Sequence, residues 1–204
     1  MKGKDAFKNW ASRPPKTEAS NNQAFIPSLQ LRLQLFSMKL PAHEHLDKLG
    51  LPYETAEFPD TTEKGAANVA KALGYRERQM VKTLIFETDR GDHALVMVGG
   101  DQNVVSGHLK KVLGSRNIAM AKPETVIDVT GYKIGSLPPF DWQKTGVRTL
   151  LDASLAEEEI LGVGTGAWGH EILIRPEHLI AASKAEVVNL TDKEKPIFPN
   201  ASQS

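Results

Sequence analysis

Three short segments of the 204-residue chain combine residue types and spacings that could do chemistry. The first is residues 81–87 (VKTLIFE), the strongest strand pattern in the sequence. A period of two puts Lys82 on one face with Leu84 and Phe86. A lysine there must snorkel to water or meet an anion, because burying an ammonium alone is costly. It is either a strand-end lysine reaching solvent or a cation projecting into a cleft. The second segment is residues 131–140 (GYKIGSLPPF). Two successive prolines fit neither a helix nor a central strand, and glycine tolerates positive φ, so this is a stiff loop. Its backbone N–H groups, those of the prolines apart, can face outward. Such groups build an oxyanion hole or grip a substrate carbonyl; an ordinary surface turn is the alternative.

The third segment, residues 162–170 (GVGTGAWGH), holds four glycines in nine positions. Gly164, Gly166 and Gly169 formally spell the dinucleotide fingerprint, which requires a helix to open at that point. The following HEILI reads as a strand, and no βαβ unit with a suitably placed acid surrounds it, so a Rossmann nucleotide site is rejected. What remains is a glycine loop between two strands, able to bring backbone close to a ligand or merely to turn a hairpin. His170 at its exit is either structural or functional.

Other constellations fail. His43 and His45 lie two apart on a helix and point away from each other, and His93, His108 and His178 lack ligand spacing. Residues 157–159 are a solvated acidic run, and no GxSxG elbow occurs. There are no cysteines, which excludes disulfides, thiolate zinc sites and a cysteine nucleophile. Twenty-five basic residues balance twenty-five acidic ones, so the field of an indiscriminate nucleic-acid binder is absent. Any RNA contact must come from a local patch; Arg76, Arg78, Lys110, Lys111, Arg116 and Lys122 are candidates.

The elements that position these segments alternate irregularly. Helices are expected at Pro41–Leu49, from a cap at Thr61 or Thr62 with Ala67, Val69, Ala70 and Leu73 as its buried stripe, and at 104–113, 123–129 and 176–182. Strands are expected at 53–58, 81–87, 94–98, 118–121, 147–151, 160–163, 171–174 and 186–190. The turn at 89–92 makes the second and third of these a hairpin. The fold class is therefore a single α/β domain whose mixed, partly antiparallel sheet is flanked by helices.

Residues 1–37 read as a disordered polar tail, with alternating apolar character only at 25–36, and residues 192–204 as a second polar tail. Met38 is an alternative start, since compact patterning follows it directly. No signal-peptide pattern opens the chain and no stretch nears the ~20 apolar residues of a membrane span, so the expected compartment is the cytoplasm. The basic residues Lys2, Lys4, Lys8 and Arg13 leave organelle targeting open, against Asp5 and Glu18.

Taken in order, VKTLIF, then TGYKIGSLPPF, then VGTGAWGHEILIRPEHLIAASKAEVVNL resembles the YbaK/prolyl-tRNA-synthetase-associated editing family over about residues 40–191. The resemblance implies an aminoacyl-tRNA deacylase that removes the wrong amino acid in trans, most readily from tRNA(Pro). It implies no metal or organic cofactor, prolyl-tRNA synthetase as a partner, and neither DNA nor a membrane. The family's functional lysine falls on Lys82 and its GxxxP loop on Gly135–Pro139. The implied catalytic set is Lys82, Gly135, Ser136, Leu137 and Pro139. The implied substrate-binding set is Phe58, Thr83, Pro138, Gly164, Gly166, His170 and Glu171. Two departures stand out. Pro138 removes an N–H where many members carry serine, and Phe58 replaces the tyrosine of cysteine-specific members, so the amino acid removed stays open. A non-catalytic tRNA- or synthetase-binding module and a small-molecule ester hydrolase are the competing readings.

Overall fold

A computed structural model describes residues 39–192. The expectations for residues 1–38 and 193–204, including the alternating stretch at 25–36, lie outside the described residues.

The chain opens with α1 (Pro41–Leu49), whose first-turn proline gives up no needed N–H and whose last turn closes on Gly50. Strand β1 (Glu54–Glu57) leads to α2 (Ala66–Leu73) and a short 3₁₀ turn (Glu77–Gln79). The hairpin β2 (Val81–Thr88) and β3 (His93–Gly99) follows, then α3 (Ser106–Leu113), β4 (Ile118–Met120) and α4 (Pro123–Thr130). The last third holds β5 (Arg148–Asp152), β6 (Leu161–Gly164), β7 (His170–Ile174), α5 (Pro176–Ser183) and β8 (Glu186–Val188).

The architecture is α/β with mixed, partly antiparallel pairing, but the strands divide between two sheets rather than one. Five form the order β4-β2-β3-β5-β8, with β3–β5 and β5–β8 parallel. The other three form an antiparallel sheet in the order β1-β7-β6. The reason lies along β2. Strand β4 pairs only with residues 86–88 of it, so the opposite end of that edge is left uncovered. There a single parallel bridge, Met80 to Gly162, joins it to the second sheet. The part of β2 that β4 leaves uncovered lines, with Gly164 of β6, the cavity described below.

Period-two alternation sends Ile85, Leu95, Met97 and Leu151 into the main core and Phe86, Val96, Val98 and Leu150 into a second core beneath Leu109 of α3. Strand β3 is buried on both faces, so its near-continuous apolar run is what a central strand requires. A third cluster of Phe58, Val69, Ala70, Met80 and Leu173 packs α2 onto the smaller sheet.

Helix α2 corrects one expectation. It starts at Ala66 behind Gly65, with no side-chain cap, and neither threonine serves it; the N–H of Thr62 instead closes a turn onto Pro59. Its stripe shifts accordingly: Ala66 packs against the third cluster while Ala67 is exposed. A threonine pair is an N-terminus signal only if the next residues turn helical, and here Glu63, Lys64 and Gly65 intervene.

Candidate active site

The loop after α4 is pinned at both ends. Gly131 takes a positive φ to stop the helix, and Phe140, fully buried, stacks on His45 at 5.4 Å between ring centres. Burying such a ring is worth about 1.5–3 kcal/mol. The indole N–H of Trp142 donates to the Pro138 carbonyl at 2.7 Å, and the side-chain amide of Gln143 to that of Pro139 at 2.6 Å. The two prolines are thus buried footings of the loop.

Residues 135–137 stand clear of these footings. Gly135 has φ 109, a conformation suited to glycine, and the stem of Lys64 lies over it. The carbonyl of Ser136 accepts the N–H of Gly166 at 2.7 Å, which ties the loop to the glycine segment. Gly164 fits against the same backbone so closely that a Cβ there would lie 2.6 Å from the Ser136 carbonyl oxygen. Gly166 likewise could carry no Cβ, because the ring of Tyr132 would be 2.5 Å from it. Among the described residues, the N–H groups of Gly135 and Leu137 donate to no protein acceptor, while that of Ser136 weakly closes the turn at 134–135. Two unpaired donors on one stiff bend are what a site gripping an anion or a carbonyl requires.

These residues line a cavity of about 340 Å³ with Lys82, Thr83, Gly164 and Glu171, closed by Lys64, Val69 and Trp168. The ammonium of Lys82 donates to the backbone carbonyl of Gln102. Gln102 is itself held by Gly99, Ser154 and Thr191, so the lysine rests on a fixed support. That contact uses one of its three N–H donors. Burial pulls its pKa below the usual lysine range, with Glu77 and Asp101 partly opposing.

Glu171 sits on β7 directly opposite Gly164 of β6. The residue as a whole is half-buried, but its Oε2 is sealed from solvent and has no hydrogen-bond partner. Burial pushes its pKa up to about 8. The Thr83 hydroxyl is a second buried oxygen without a partner.

Of the residues singled out in the sequence, the cavity therefore gathers Lys82, Thr83, Gly135, Ser136, Leu137, Gly164 and Glu171. Gly166 belongs to an adjoining cavity of about 420 Å³ with Tyr132, Lys133 and Trp168. Phe58 lies behind it, buried, edge-on to Trp168 at 5.0 Å. His170 lines neither cavity; it is exposed, with its ring 3.8 Å from the Glu57 carboxyl. Lys64 and Trp168 are lining residues that sequence reasoning did not select. Among the described residues no group of three or more acidic or histidine side chains could hold a metal, and no helix is long and apolar enough to cross a membrane.

Residues 61–182 match the profile of the aminoacyl-tRNA editing domain. The chain belongs to that family. A proposed Cys-tRNA(Pro)/Cys-tRNA(Cys) deacylase, EbsC, of Enterococcus faecalis is 24% identical over 157 residues, which are 76% of this chain and 95% of that protein. The proline–tRNA ligase of Staphylococcus aureus is 33% identical over 99 residues; the match spans 48% of this chain and only 17% of the ligase. The crystal structure of a proposed trans-editing enzyme for prolyl-tRNA synthetase superposes with a TM-score of 0.68 at 27% identity, covering 77% of this chain and 100% of that one. Within this editing-domain chain, the family match runs from just before α2 through α5 and so encloses every lining residue of the cavity.

Proposed function

We propose that this editing domain hydrolyses the ester bond of mischarged aminoacyl-tRNA, acting in trans on esters of tRNA(Pro). The observation that carries the reading is the meeting of Lys82 with the unpaired N–H groups of Gly135 and Leu137 in one cavity of an editing-family fold. The deacylase and prolyl-tRNA synthetase names borne by its relatives support the substrate class and prolyl-tRNA synthetase as a partner.

An aminoacyl ester is already activated, so placement and charge stabilisation do most of the work. Its carbonyl oxygen accepts from the loop N–H groups. Water adds to the carbonyl carbon, and the oxyanion so formed meets donors already in place. The bond from that carbon to the ribose oxygen then breaks, and the water's proton passes to the departing oxygen. The products are the free amino acid and a tRNA with its terminal hydroxyl restored. Lys82, with two N–H donors to spare, orients the phosphate of the terminal adenosine.

The test is ester loss from tRNA(Pro) charged with alanine, cysteine or serine, beside correctly charged Pro-tRNA(Pro) and other mischarged tRNAs. Turnover of at least one mischarged tRNA(Pro), with the proline ester spared, is expected. Tight binding without turnover of any ester would contradict the reading.

A further inference from the structure

The cavity is lined by the carboxyl of Glu171, whose Oε2 is buried and has no hydrogen-bond partner among the described residues. A buried polar atom of this kind costs free energy unless something meets it. Among the described residues nothing does: the Lys82 ammonium is on the Gln102 carbonyl, and Lys64 leans 3.5 Å from the Ile134 carbonyl. A ligand in the cavity is the partner left to it, and a protonated carboxyl can exchange hydrogen bonds with that ligand in either direction.

Position narrows the choice. Residues directly opposite in an antiparallel ladder project from the same face, so Glu171 shares its face with Gly164. Gly164 in turn abuts the Ser136 backbone, where the loop donors would hold an ester carbonyl. A phosphate diester brings no donor, and a ribose hydroxyl cannot take up the proton that the empty carboxyl holds. The one cationic group that an aminoacyl ester always carries close to its carbonyl is its α-amino group, two bonds away.

Resting on the hydrolase reading above, we propose that Glu171 receives the α-amino group of the bound aminoacyl ester, so that the cavity admits free-amine esters and rejects N-blocked ones. The proton count is consistent. With the empty acid's pKa near 8, the carboxyl carries a proton into the complex. A carboxyl facing an amine and a carboxylate facing an ammonium differ only in which partner holds that proton. Glu171 is a positioning residue here: it fixes the acyl group while the loop and water act on the carbonyl.

The experiment takes the tRNA(Pro) ester turned over fastest and the same ester N-acetylated, each with wild type and with Glu171→Gln. Wild type is expected to favour the free amine by roughly tenfold or more, the size of one charge-assisted hydrogen bond. Glu171→Gln is expected to shrink that preference to about twofold by slowing only the free-amine ester. Equal wild-type rates on the two esters would overturn the proposal. So would a variant that slows both alike, the outcome of a merely structural role. Binding of tRNA(Pro) carrying a non-hydrolysable 3′-amide, with its α-amine free or acetylated, makes the same comparison without turnover. Loss of the hydrolase reading and loss of this one are thereby separate results.

Discussion

The two walls of the cavity are built on opposite principles. The loop wall is over-determined: Phe140 is buried, two proline carbonyls are tied off, Gly166 bonds to Ser136, and Gly164 is pressed against the same peptide. The strand wall is under-satisfied, with Thr83 Oγ1 and Glu171 Oε2 buried and lacking partners. Rigid donors suit a group whose charge appears only during reaction, because no reorganisation is then needed. Unsatisfied acceptors suit a group that arrives with the ligand, because the ligand relieves their cost. The molecule separates holding the reacting carbonyl from recognising what is attached to it.

The largest test of this contrast is on the rigid wall. Gly164→Ala would place a methyl 2.6 Å from the Ser136 carbonyl oxygen, and backbone cannot step aside cheaply. Loss of a transition-state donor typically costs about 10²–10³ in rate, and a fall of that order in single-turnover deacylation is expected. A methyl on Gly162, two residues earlier on the same strand, would press on the flexible end of Met80 at 2.6 Å and touch Leu173 at 3.7 Å, side chains rather than backbone. Gly162→Ala is therefore expected to leave the rate within a few-fold. If both alanines act alike, the loop is not the rigid wall described.

A smaller effect is expected on the other wall, and it appears in stability against pH. The Glu171 carboxyl has a folded pKa of about 8 against an ordinary 4.5. Between those values the folded chain holds a proton that the unfolded chain has released, so stability falls as pH rises across the window. The loss is on the order of a few kcal/mol by its end. Glu171→Gln lacks this slope. Urea melts at about pH 5 and pH 8.5 should show the variant gaining on wild type as pH rises. Parallel curves would mean that the Glu171 carboxyl is solvated and its Oε2 not sealed.

The contrast also explains what could be read in advance. The loop wall was legible because its residues are conformational specialists: two prolines and closely spaced glycines have few structural uses, and their order resembles one family. Lys82 was legible because a cation within an apolar strand needs a reason. The division into two sheets was not legible, since it depends on β4 covering only one end of β2. Lys64 was hidden in a polar stretch that looked like a helix cap, and Trp168 in a segment read for its glycines. Glu171 was noticed only through the family resemblance. Its sealed oxygen is a property of packing around β6 and β7, which no local pattern encodes. His170 and Phe58 matched family positions, but the fold turns the first to solvent and sets the second behind Trp168.

Lys82 lines the cavity between the two walls. Single-turnover ester loss from the best mischarged tRNA(Pro), wild type against Lys82→Ala, tests its role most directly. A drop of about 10²-fold is predicted, with the variant's melting temperature little changed because the desolvation of the Lys82 ammonium offsets its hydrogen bond to the Gln102 carbonyl. Unchanged deacylation of every mischarged tRNA by Lys82→Ala would contradict it.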